Sequence, residues 1–146
     1  MIEFSLMLPW LIFLFVGSFD WGYYSHALIS VESATRVAAL YGANAANGNV
    51  SQSAACTLVL GEMSIAPNVG NLTGCTGSIG ATQSVILTPT CPAPSSSLGN
   101  VNYVQIDLYY QTVSLIPIPG ILRNSVILHR AVQMPMNGNQ TCSIVS

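Results

Sequence analysis

The chain has 146 residues, of which 51% are hydrophobic and only 5% charged, with a net charge of −2. An ordinary soluble domain carries roughly 25% charged residues. Three dispersed arginines and no lysine cannot form the basic face that nucleic acid requires, and a chain this apolar lacks the composition of a disordered one. What remains is a membrane-linked protein, or one whose surface is covered by further copies of itself.

Phe4 to Phe19 is an uncharged run, interrupted at Asp20 and resumed from Trp21 to Val31. With Met1, Ile2, Trp21, Tyr23 and Tyr24 at its flanks, it approaches the roughly 20 residues of a bilayer span, and such aromatics suit a membrane interface. A cleaved signal peptide is the competing reading. No basic segment precedes the run, and it continues into a helical pattern instead of ending at an obvious small-residue cleavage site. We therefore expect a retained helix.

Few strong breakers occur between Pro9 and Asn47-Gly48-Asn49, so the pattern predicts one helix over about residues 2–46, with Pro9 kinking it or leaving its first turns irregular. At 1.5 Å per residue its length is on the order of 65 Å, about twice the hydrocarbon thickness of a bilayer. The second half must emerge and pack on something else. Glu32 and Arg36 stand i, i+4 in the favourable order. Every fourth position gives Ser18, Gly22, His26, Ser30, Ala34, Ala38, Gly42 and Ala46, all small except His26. Such a ridge lets helix backbones approach closely, which suits contacts with several neighbouring helices. On this basis Gly22→Leu or Ala34→Leu is expected to abolish assembly without unfolding the rest of the chain. The plainer account is that Ala, Ser and Gly are simply common here.

Beyond Asn49, residues 50–65 predict a short helix capped by Asn49 or Ser51, with a strand over Cys56–Leu60 as the alternative. Residues 66–80 read as a loop, 82–88 as a strand and 89–100 as a Pro/Ser loop. From 101 to 113 the alternation is clear. Val104, Ile106, Leu108 and Tyr110 fall on one face, and Tyr103, Gln105, Asp107, Tyr109 and Gln111 on the other. Pro117, Pro119 and Gly120 break the sheet, and residues 124–134 give a further strand with Val126, Leu128, Val132 and Met134 on one face. These two strands are expected to pair antiparallel across the 113–123 connection. The fold class is α+β: a long N-terminal hydrophobic helix (1–47) followed by a small disulfide-stapled head with about three antiparallel strands (48–146).

Cys56, Cys75, Cys91 and Cys142 contain no C-x-x-C pair, so a zinc ribbon or thioredoxin-like site is not indicated. An even count beyond the helix, on the side that would be exported, reads as two disulfides with three possible connectivities. Cys56–Cys75 with Cys91–Cys142 is favoured, the second tying the C-terminal tail to the inter-strand loop. His26 and His129 show no metal-ligand spacing and read as structural, and Glu62 and Asp107 show no partner. No catalytic or phosphate-binding motif is present, so no enzyme, metal or cofactor is expected. Asn49, Asn71 and Asn139 open glycosylation-type sequons, which arise easily by chance in this composition.

Two carboxylates need a physical account. Glu3 at the start of the helix favours the positive end of the macrodipole, or is simply exposed at the interface. Asp20 lies just outside the bilayer facing water, or meets a polar group such as His26 or Arg36 of a neighbouring copy.

The stretch Ile2-Glu3-Phe4-Ser5-Leu6-Met7-Leu8-Pro9 resembles the opening of TadE-like proteins, pilin-like members of the tight-adherence branch of the type IV pilus superfamily. Gly17-Ser18-Phe19-Asp20-Trp21-Gly22 is similar to that family's Gly-x-x-Asp/Glu-x-Gly step, and Ser33 to Ala43 resembles its Ala-Ala-Arg-x-Gly-Ala-Arg helix. Two positions depart from the pattern: the glutamate is third here and fifth in mature pilins of the superfamily, and Val37-Ala38-Ala39-Leu40 replaces a frequent Gly and second Arg. The resemblance implies a non-enzymatic filament subunit that passes through the inner membrane as a single-pass intermediate and polymerises with itself on the bacterial surface. Its partners would be other copies, the inner membrane and the pilus assembly machinery. Glu3, Pro9, Gly17, Ser18, Asp20, Gly22, Ser30, Ala34, Arg36, Ala38 and Gly42 are the expected assembly positions. Glu3 would neutralise the N-terminus of another copy. The alternatives are a minor membrane-held pseudopilin and a membrane-anchored binding module.

Overall fold

The computed structural model describes residues 2–80, 83–93, 101–113, 125–137 and 140–145, with the backbone alone for residues 2–5. The order of elements is helix α1 (Ile2–Ala43), a 3₁₀ turn (Ala46–Gly48), strand β1 (Asn49–Ser51), helix α2 (Gln52–Glu62), and strands β2 (Val85–Thr90), β3 (Tyr103–Gln111), β4 (Ile127–Pro135) and β5 (Ser143–Val145).

Helix α1 runs through Pro9 as a single helical element, about 63 Å long at 1.5 Å per residue. It stops three residues earlier than the sequence suggested. Asn44 and Ala45 fold back onto the last turn, and Asn47 (φ 57°) and Gly48 (φ 74°) take left-handed backbone that turns the chain into β1. A β-carbon at Gly48 would strike the Thr141 carbonyl, so both space and dihedral require glycine there. Ser51 caps α2, its hydroxyl accepting the Ala54 amide.

Strands β2, β3 and β4 form an antiparallel sheet with β3 in the centre. The expected inward set of β3 is fully buried: Val104, Ile106, Leu108 and Tyr110. Strand β2 lies later than predicted and takes in Pro89, which is tolerated because β2 is an edge. Strand β4 also begins later. Leu128 is buried and Val132 and Met134 pack on the core, but Val126 precedes the strand and is exposed. The connection at 114–124 and the segment 94–100 lie outside the described residues.

Both favoured disulfides are formed, Cys56–Cys75 and Cys91–Cys142. The tail does more than hang from the second bridge: β5 pairs in parallel with β1, Val50 opposite Ile144. Sheet, α2 and the C-terminal half of α1 share one core, in which Ala27, Val31, Ala34, Ala38 and Ala39 meet Val59, Met63, Val104, Ile106 and Leu108. The end of the long helix near residue 47 is therefore not the edge of the head's core.

Candidate functional site

Helix α1 is two surfaces in series. From Leu6 to Phe19 every side chain is exposed except the half-buried Val16. Trp10, Leu11, Ile12, Phe13, Leu14, Phe15 and Phe19 all face outward. From Tyr24 onward one side of the helix packs on the head while Ile29, Ser33, Arg36 and Leu40 stay outside. A helix apolar all round is suited to lipid or to a bundle of other helices, and α1 is long and apolar enough to cross a membrane.

The row of small residues is divided by this change. Ala34, Ala38 and Gly42 are buried inside the molecule itself. Gly42 lies so close to β3 that an added β-carbon would stand 3.1 Å from Val104 Cγ2. The expectation that Ala34→Leu leaves the head intact therefore fails, because leucine there enters a filled core before it meets any neighbour. Gly17, Ser18 and Gly22 are exposed, Ser30 is half-buried, and a β-carbon at Gly17 or Gly22 would meet nothing within 4 Å. Ser18 and Ser30 donate back to the carbonyls of Phe15 and His26, satisfying their hydroxyls within the helix.

Arg36 is engaged by Glu32, Nη2 to Oε1 at 2.6 Å, on the exposed side of the helix. This surface pair is worth about 0.3–0.5 kcal/mol. Asp20 is half-buried and has no ion-pair partner among the described residues, and His26 is exposed about 1.7 turns above it. The side chain of Glu3 lies outside the described residues, as does Asn139.

One constellation escaped the sequence. Asp107 and His129 were isolated on separate strands, but the β3–β4 register brings His129 opposite Tyr109 and diagonal to Asp107. His129 Nε2 lies 3.1 Å from Asp107 Oδ1, and its ring stacks on Tyr109 with centroids 4.3 Å apart. Gln105 donates to Asp107, and Gln133 to Gln105. The available signal was the outward parity of Tyr109 and Asp107; the register that completes the cluster was not readable. Among the described residues no group of three or more His, Cys, Asp or Glu is placed to hold a metal ion.

At the junction of the two halves of α1, the Tyr23 hydroxyl is buried beside that of Tyr110, without a well-formed hydrogen bond among the described residues. Tyr110 instead donates to the Pro67 carbonyl at 3.1 Å. Burial, and then the neighbouring Tyr23 hydroxyl, push the Tyr110 pKa above the ordinary tyrosine value.

Comparison with curated proteins gives no match, and comparison with solved structures gives none either. Comparison with family models gives one for "TadE-like protein", covering residues 1–40. From Ile2 onward the matched residues fall within α1, and they take in both its exposed apolar half and the stretch from Ala27 to Ala39 that packs into the head's core; the strands and the four cysteines lie beyond the match.

Proposed function

We propose that this chain is a non-enzymatic structural subunit of a Tad-type pilus-like filament, held in the inner membrane by α1 before assembly and polymerised through it afterwards. One observation carries the reading. The apolar half of α1 is bare all round, while the other half is fixed into a disulfide-stapled head. Residues 2–22 span about 31 Å, close to a hydrocarbon core of about 30 Å, with Glu3 and Asp20 within one turn of the two ends, where a carboxylate reaches the headgroups. The same surface, moved from lipid to a bundle, gives close helix packing at Gly17, Ser18 and Gly22. The family match and the apolar helix together fit a membrane-anchored, pilus-associated protein.

The partners on this reading are further copies of the chain, the membrane and the assembly machinery. The test is electron microscopy of sheared cell-surface material with mass spectrometry of the same fraction. Thin filaments composed chiefly of this chain are expected. Retention of the chain in the membrane fraction, with filaments built from another protein, would overturn the structural-subunit reading.

A further inference from the structure

We infer that the end of the head from which α1 departs is a lipid-contacting rim that seats in the bilayer interface. This rests on the membrane-spanning reading of α1 given above. The geometry fixes which end this is. Strand β3 runs antiparallel to α1: Val104 lies against Gly42 near the far end of the helix, and Tyr110 lies against Tyr23 where the bare half begins. What surrounds Tyr110 is therefore nearest the membrane. The Pro67 carbonyl accepts the Tyr110 hydroxyl, Asn68 donates to the Gln111 carbonyl, Thr112 bonds Val126, and Ile127 pairs with Gln111.

Four apolar side chains project from this end of the head, while Leu58, Ile144 and Val145 are exposed elsewhere on it. Ile65 is 86% exposed, Ile127 54%, Val126 46% and Val113 38%. Among the described residues, the polar groups between them, Asn68, Gln111, Thr112 and Ser125, carry no charge. On α1 the adjoining residues are Phe19, Asp20, Trp21 and Tyr24, and Glu62 stands exposed at the end of α2, three residues before Ile65. A carboxylate among headgroups is inexpensive, and Trp and Tyr favour this depth. The occupant follows from continuity. A helix that enters lipid at about residue 22 and joins the head at Tyr23 leaves no linker, so these side chains are held at the surface into which α1 passes.

The experiment uses the full chain in phosphatidylethanolamine/phosphatidylglycerol vesicles containing acyl-brominated lipid. The native tryptophans are Trp10 and Trp21. Trp21→Phe leaves Trp10 to report the span. Trp10→Phe/Trp21→Phe with Ile65→Trp, or separately Ile127→Trp, reports the rim. Asn137→Trp, in the same double background, reports the far end, where the Asn137 amide bonds the Ala43 carbonyl. The expected result is loss of Trp10 emission to lipid brominated near the bilayer centre. The rim tryptophans should lose emission to lipid brominated near the headgroups, and Asn137→Trp should lose none. A quenched Trp10 with unquenched rim tryptophans overturns the rim and leaves the span standing. Equal quenching at residues 65 and 137 also overturns it. An unquenched Trp10 overturns the span reading and the rim with it.

Discussion

Gly42 is pressed against Val104: a β-carbon on the helix would come within 3.1 and 3.3 Å of the two valine methyls and 3.6 Å of Val50 Cγ1. This contact joins the far end of α1 to the central strand and to β1, so the helix cannot shift without unpacking the sheet. Gly42→Ala requires Val104 to give by a few tenths of an ångström, with a cost of about 1–3 kcal/mol for overpacking. Gly42→Leu is expected to prevent the native head from forming. Urea unfolding of the two variants checks this; unchanged midpoints would show that the helix end is not held against β3.

Gly22 is the opposite case. It lies on the same row but in open space, so Gly22→Leu leaves the head's unfolding midpoint unchanged and blocks close helix approach. Ala34→Leu lowers the midpoint, because Ala34 is fully buried in the head. Filament counts by electron microscopy, set beside denaturation of each variant, separate the two effects. Normal filaments from Gly22→Leu would remove this part of the row from the assembly surface.

The tail gives a third prediction. Cys91–Cys142 closes a separation of 51 residues and holds β5 against β1, two strands of three residues that could not persist alone. Replacing both cysteines with serine is expected to cost about 2–5 kcal/mol and to release Ser143–Val145. Gly48→Ala disturbs the same place from the other side by striking the Thr141 carbonyl. Hydrogen exchange at the backbone amides of β1 and β5 reads both. Protection unchanged in the double serine variant would mean that the strand pairing stands without the bridge.

These predictions also mark how far the residues alone carry. The inward face of β3 was readable because four apolar positions alternate with polar ones, and burial follows that parity. The long helix was readable from its lack of breakers. The β1–β5 pair was not, since Asn-Val-Ser and Ser-Ile-Val are too short to show a period and lie about 94 residues apart. The small-residue row was visible, but its destination was not: Ala34 and Gly22 look alike in sequence and differ only in whether the sheet lies over them. The Asp107–His129 pair needed the strand register, which no local pattern near His129 supplies.

Tyr110 carries the last prediction, which concerns pH. Its hydroxyl is protonated, donates to the Pro67 carbonyl, and is held above its ordinary pKa of 10.0 by burial and then by Tyr23. The folded state therefore binds this proton more tightly than the unfolded chain does. The stabilisation is complete below pH 10.0, the unfolded value, and is lost as pH rises from there toward the folded value. Tyr110→Phe removes both the titration and the hydrogen bond. At neutral pH the variant should be less stable by about 1 kcal/mol. Above about pH 10 the native chain should lose stability faster than the variant, narrowing or reversing the gap. Urea unfolding with disulfides intact, at neutral pH and at about pH 11, measures both slopes. Parallel slopes would show that the Tyr110 hydroxyl ionises in the folded head as easily as in the unfolded chain, and that the junction with Tyr23 is open to water.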